Sequence, residues 1–307
     1  MWKIISGVSM GWSLGANDSA NIFGTGVATG AIQYRTAILL TAAFVLLGSL
    51  LEGPKCMTTL NEVSRLSPRH AFCCTLATAV IMIALTYLAI PASASQGIIG
   101  AIVGASVFGG SPDFSKLFGI VLCWILTPVM GIVVAYFLHR LLDYTLALTI
   151  KSMTYRNMLY AFGIITTGAY AAYALGCNNV ANVTGVYVGA GILSTGTASL
   201  IGGLSIASGV LTYSQKVMMT VGKGIAPLDP FSALICVLAT GCTLHVFTQI
   251  GVPVSSSQAV VGAVVGVGFV GGMRTVSGRM LAKIGIGWVL TPVSAGVLSF
   301  ILIRGIT

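Results

Sequence analysis

The sequence predicts an all-α, polytopic membrane protein made of two inverted-topology repeats with broken or re-entrant helices. Three observations carry this. The first is composition: 307 residues are 56% hydrophobic and 7% charged, with a mean hydropathy of +0.98. A soluble domain carries roughly 25% charged residues, so most of this surface must face lipid. The 39 glycines fit the same reading, because small residues let transmembrane helices approach closely. The second is repetition. Gly15-Ala16-Asn17-Asp18-Ser19-Ala20-Asn21 returns, 161 residues on, as Gly176-Cys177-Asn178-Asn179-Val180-Ala181-Asn182. Pro91-Ala92-Ser93-Ala94-Ser95-Gln96 returns at an offset of 162 as Pro253-Val254-Ser255-Ser256-Ser257-Gln258. Cys74 to Thr78 answers Cys236 to Thr240, and Trp124 to Pro128 answers Trp288 to Pro292. The third is charge. Lys55, Arg65 and Arg69 load one loop of the first half, and the loop at 111–116 has only Lys116 against Asp113. In the second half the bias partly reverses: Arg274, Arg279 and Lys283 load 272–283, while 214–230 has Lys216 and Lys223 against Asp229. By the positive-inside rule a reversal between repeats means inverted topology.

The elements follow in order. Residues 4–14 are apolar but shorter than the ~20 residues a span needs, so the signature and its tail to Ala31 continue them as a broken element. Arg35 marks an interface and residues 36–51 form a span. A polar loop is expected over 52–70, a span over 71–90, a Gly/Ala-rich segment from Pro91 to about 109, and a long span over 116–138. The pattern then restarts. This gives a first membrane repeat over 1–138, a basic linker over 139–156 and a second repeat over 157–307, with ~10–12 membrane elements in all. The linker is expected in the cytoplasm and both termini outside, in a multi-pass cell (inner) membrane protein. Residues 1–16 do not read as a removable signal peptide.

The net charge of +9 does not point to nucleic acid, because the basic residues stand at the ends of apolar runs. The seven cysteines lack metal-ligand spacing and read as small buried hydrophobes. Gly100, Gly104, Gly262 and Gly266 read as packing seams and His245 as a packed or interfacial side chain.

Six acidic residues occur. Asp113, Asp143, Asp229 and Glu62 fall in expected loops and Glu52 at a span end, so Asp18 alone lies within a membrane element. An ionisable group at that depth is a functional group by default. The competing reading makes Asp18 an N-cap, since the signature resembles a helix start. No Lys or Arg falls inside a span core, so an anion would rest on backbone N–H groups at half-helix starts and on hydroxyl and amide donors. The substrate-binding candidates are therefore Asn17, Asp18, Asn178 and Asn179 with Ser93, Ser95, Gln96, Ser255, Ser256, Ser257 and Gln258. The oxygens of Asp18, Asn21, Asn179 and Asn182 are hard ligands suited to Na⁺, or to a coupled H⁺. No cofactor is expected beyond such a coupling ion. The spans hold no His/Asp/Glu metal cluster and no nucleophile–base pair, so enzyme chemistry is not expected; an ion channel lined by the same half-helices is the rival arrangement.

Residues 15–21, their echo at 176–182 and Pro-Val-Ser-Ser-Ser-Gln at 253–258 resemble the inorganic phosphate transporter family of symporters. The resemblance spans nearly the whole chain. It implies cation-coupled uptake of inorganic phosphate, two inverted repeats with the site between them, and a homodimer. It carries the signature positions onto Asn17, Asp18, Asn21, Asn178 and Asn182. The chain departs from that family at three places: Asn179 stands where Asp is frequent, Val45 where Glu is frequent, and Gln96 and Gln258 where His is frequent. Some relatives of the family are sulfate permeases. Phosphate can donate a hydrogen bond to a carboxylate and sulfate cannot, so Asp18 favours phosphate.

Overall fold

Helices form wherever the apolar runs persist, and they stop where glycine, proline or serine interrupts them. The computed structural model describes residues 2–63, 66–88, 90, 92–109, 113–224, 228–271 and 277–305, and every regular element among these is helical. After a short 3₁₀ turn, the first half holds α1 (Ile5–Asp18), α2 (Ala20–Ala28), α3 (Tyr34–Leu51), α4 (Pro54–Val63), α5 (Pro68–Tyr87), α6 (Ala94–Gly109) and α7 (Phe114–Thr149). The second holds α8 (Met153–Val180), a π-helical turn (Ala181–Gly185), α9 (Val186–Gly189), α10 (Thr195–Tyr213), α11 (Gln215–Gly224), α12 (Pro230–Ile250), α13 (Ser256–Gly271) and α14 (Gly278–Arg304). Among the described residues seven helices are long and apolar enough to cross a membrane. The broken pair α1–α2 and the shorter apolar helices α6 and α13 add to them. This is a multi-pass membrane protein. Phe118, Ile125, Val129 and Phe137 on α7 face outward, as do Ile286, Val289 and Val293 on α14, whereas α12 is largely enclosed.

Several expected loops are helices. Residues 52–70 contain α4, because Cys56, Met57, Leu60 and Val63 recur on one buried face among polar neighbours. Residues 214–230 contain α11, with Val217 and Met218 buried. The expected linker at 139–156 is mostly α7 itself. That helix runs 36 residues, ~54 Å at 1.5 Å each, and so overshoots a ~30 Å hydrocarbon layer. The break between halves is only Ile150 to Ser152, and Arg156 closes it by donating to the carbonyls of Ile150 (2.7 Å) and Leu146 (3.0 Å). Asp143 therefore lies on a helix, exposed. Asp113 and Asp229 act as N-caps, accepting from Ser115 N and Lys116 N, and from Ser232 N. Arg65, Pro91 and Arg274, and the side chain of Glu62, lie outside the described residues.

Packing interleaves the halves. α1 packs on α10, α3 on α8, α6 on α14 and α7 on α13. The repeat matches α1 with α8, α3 with α10, α6 with α13 and α7 with α14, so these four contacts form two related pairs. Glycine makes them close enough. A Cβ on Gly15 would collide with the Ile206 carbonyl, and one on its counterpart Gly176 with the Val45 carbonyl. Gly100 and Gly262 likewise meet the carbonyls of Pro292 and Pro128, the interior prolines of α14 and α7. Helices from both halves thus pack together: α1, α3, α8 and α10 form one group, with α5, α6 and α14 packed beside it through α1 and α7, α12 and α13 through α8.

Candidate functional site

The two signatures lie where their helices are distorted. α1 ends at Asp18, Ser19 makes a turn, and α2 starts at Ala20. In the second copy α8 passes into the π turn at Ala181. Such turns free backbone groups and recur at functional sites. The expected capping role of Asp18 is not seen: it is the last residue of α1, and Ser19 keeps helical dihedrals (φ −58°, ψ −27°), leaving no extended cap position.

The first asparagine of each signature braces a hairpin tip. Asn17 Nδ2 donates to Thr86 Oγ1 (3.0 Å) and to the Ile90 carbonyl (3.2 Å), and its Oδ1 accepts from Ala92 N (3.0 Å). Asn178 does the same to Thr248 (3.1 Å), the Val252 carbonyl (3.1 Å) and Val254 N (2.8 Å). Both amides are used up by the bends that lead into α6 and α13. Those helices start on serine caps: Ser93 Oγ accepts from Gln96 N, and Ser255 Oγ from Gln258 N, each at 3.3 Å.

The last asparagine of each signature reaches the opposite half. Asn21 Nδ2 donates to Ser256 Oγ (3.0 Å), and Asn182 Nδ2 to Ser95 Oγ (2.9 Å). Ser95 Oγ in turn donates to the Val254 carbonyl (2.7 Å), joining the two hairpin tips. Ser256 is also the side-chain neighbour of Asp18. Ser257 exchanges a hydrogen bond with Ser255 (2.9 Å) and accepts from Trp288 Nε1 (3.1 Å). All the candidate side chains are at most 5% exposed.

The unpartnered atoms are informative. Among the described residues Asp18 Oδ1, Asn21 Oδ1, Asn182 Oδ1, Gln96 Oε1 and Gln258 Oε1 are buried acceptors without a hydrogen-bond partner in the protein. Asn179 Nδ2 is a buried donor in the same condition, and Ser19 Oγ a buried hydroxyl. Leaving a buried polar group unpaired costs ~1–3 kcal/mol, more when it is charged. Their concentration on the two signatures and the starts of α6 and α13 makes these residues the candidate binding arrangement.

Sequence reasoning missed two sets of residues. Thr86 and Thr248, which complete the asparagine braces, stand 162 apart and were open to the same repeat argument. The other set surrounds Glu52, just past the end of α3. Its carboxylate accepts from Lys55 Nζ (2.8 Å), Gln249 Nε2 (2.6 Å) and Tyr173 OH (2.7 Å), with His245 Nε2 at 3.5 Å. Lys55 pulls the carboxyl well below its usual range, to about 2, against the opposing effect of partial burial; Tyr173 and Gln249 add to the lowering. At the repeat-related place Trp12 donates to Thr212 (2.8 Å), and Lys216 donates to the Tyr87 carbonyl and lies over the Tyr87 ring (5.0 Å).

A model described as "Phosphate transporter family" matches residues 14–299. The chain belongs to the phosphate transporter family. This family member is a transporter and not an enzyme. A Methanocaldococcus jannaschii protein named "Putative phosphate permease" is 32% identical over 292 residues, 95% of this chain and 92% of that one. The sulfate permease CysP of Bacillus subtilis is 27% identical over 300 residues, 95% of this chain and 83% of that one. A solved structure described as "The sodium-dependent phosphate transporter" has the same fold, with a TM-score of 0.87 over 99% of this chain and 98% of that one at 23% identity.

Proposed function

We propose that this transporter imports inorganic phosphate together with Na⁺ or H⁺ by alternating access. The observation that carries the reading is the set of unpartnered buried acceptors on the two signatures and at the starts of α6 and α13. The starts of α6 and α13 supply N–H groups and partial positive charge to an anion. Asp18 and Asn21 supply hard oxygens to a cation, which offsets the repulsion between Asp18 and the anion. Asn17 and Asn178, whose amides are fully occupied, position the helix starts and do not touch ligand. Ser93, Ser95, Ser255 and Ser257 are engaged within the turns, which leaves Gln96, Gln258, Asn179 and Asn182 to meet the substrate or coupling ion.

Protonated phosphate fits this set better than sulfate does. Its P–OH groups can donate to the free oxygens of Gln96 and Asn182, and sulfate has no proton to give. The Bacillus subtilis relative keeps sulfate as the second reading. The paired contacts between halves support inverted repeats with the site between them. The bodies that move are then groups of helices drawn from both halves, rather than the two sequence halves. The basic break between α7 and α8 is assigned to the cytoplasm and both termini to the outside.

The test is uptake of labelled phosphate and sulfate by proteoliposomes under an inward Na⁺ gradient, an inward H⁺ gradient or neither. The expected outcome is saturable phosphate accumulation under one gradient. Sulfate accumulation that excess phosphate does not reduce overturns the phosphate assignment, and currents that follow voltage alone overturn the transporter mechanism in favour of a channel.

A further inference from the structure

We infer that this protein couples transport to a single bound cation, held on the Asp18 side of a site whose repeat-related counterpart holds none. The inference rests on the cation-coupled reading above and concerns the stoichiometry of that same site.

Two departures from the repeat meet at one place. The counterpart of Asp18 is Asn179, 161 residues on, and the counterpart of Ser256 is Ala94, 162 residues back. Asp18 and Ser256 are neighbours, and Asn21 binds Ser256. One side of the site therefore presents a carboxylate and a hydroxyl where the other presents an amide and a methyl group.

The free atoms follow this difference. On the Asp18 side they are all acceptors, Asp18 Oδ1, Asn21 Oδ1 and Gln258 Oε1, whereas the other side leaves two neutral amide acceptors, Asn182 Oδ1 and Gln96 Oε1, and one donor. Oxygen-only surroundings with one negative charge suit a monovalent cation. On the other side the Asn179 oxygen is already taken, because Asn182 Nδ2 donates to it at 3.0 Å. What Asn179 leaves free is its Nδ2 donor. A free N–H donor repels a cation and attracts an anion, so Asn179 serves the oxyanion directly.

The surrounding hydrogen bonds have been rebuilt to match. With alanine at 94, Asn182 takes Ser95, the counterpart of Ser257. Ser257 is left free by Ser256 and accepts from Trp288 Nε1 (3.1 Å). Trp124 is the counterpart of Trp288, and its Nε1 is buried without a partner. The second side thus holds a neutral chain, Asn179–Asn182–Ser95, and no carboxylate.

The experiment measures tracer phosphate and cation fluxes together in proteoliposomes, with whichever cation drives uptake. The wild type should move one cation per phosphate, with a Hill coefficient of about 1 for the cation. The double variant Asn179→Asp/Ala94→Ser restores a carboxylate and a hydroxyl to the second side and should raise both values to about 2. A wild-type ratio of two overturns the inference and leaves cation-coupled phosphate import standing. A double variant that transports at a ratio of one overturns the assignment to these two positions. If the double variant fails to fold, the wild-type ratio decides alone. Absence of phosphate uptake under either gradient overturns the transport reading itself.

Discussion

Asn178 and Asp18 are both buried polar residues of a signature, yet they predict opposite losses. Asn178→Ala removes three hydrogen bonds to a hairpin tip and leaves a buried backbone N–H and C=O without partners. It should cost ~1–3 kcal/mol per unpaired group and lower the melting temperature in detergent. Asp18→Asn keeps size and shape, so the variant should purify with a melting temperature at or above that of the wild type, while cation-driven phosphate accumulation falls to background. Normal coupled transport by Asp18→Asn would remove the carboxylate from the mechanism. At this scale the sequence revealed which residues matter but not how they divide the work. Asn17, Asn21, Asn178 and Asn182 are chemically identical. Only the backbone groups at Ile90 and Ala92 and at Val252 and Val254 make two of them braces, while Ser256 and Ser95 make the other two cross-links between halves.

Elements were legible where hydrophobicity alone decided them and obscure where polarity masked a helix. The long spans α3, α5, α7 and α12 follow their apolar runs. The amphipathic α4 and α11 were hidden by Lys55, Lys216 and their neighbours, which read as loop charges. Glu52 stands at the junction of α3 and α4 and ties both to α12 through Gln249 and His245. Its carboxyl is held at about 2, below the ordinary 4.5. A lowered native value stabilises the fold fully above the ordinary value, and that stability is lost as pH falls towards the native one. The melting temperature of the wild type should thus fall as pH drops from 4.5 towards 2, and Glu52→Gln should lose much of that slope. An equal slope in both proteins would mean that other acids carry the acid sensitivity.

The sequence repeats divide the whole molecule at the α7–α8 junction, whereas packing groups helices from both halves: α1, α3, α8 and α10, with α5, α6 and α14 beside α1 and α7, α12 and α13 beside α8. In the proposed alternating access, movement of the α5–α6–α14 group on α1, α3, α8 and α10 changes the contact between α1 and α5. There Ser6, Thr75 and Tyr187 share hydroxyl contacts of 2.6–2.8 Å. An oxidised Ser6→Cys/Thr75→Cys pair should stop uptake, and reduction should restore it; full activity of the oxidised pair would move the sliding surface elsewhere. The repeat itself was plain in the sequence. Which helix meets which was not, because glycine at 15, 48, 176 and 209 announces a close approach without naming the partner. The interleaving has a consequence for how the protein is made. When α1 enters the membrane its glycine seam has no mate until α10 follows, and α6 must wait for α14, the last helix. At a synthesis rate of ~5–20 residues per second, that wait lasts on the order of ten seconds or more. Neither half can bury its glycine seams before the other half has been made.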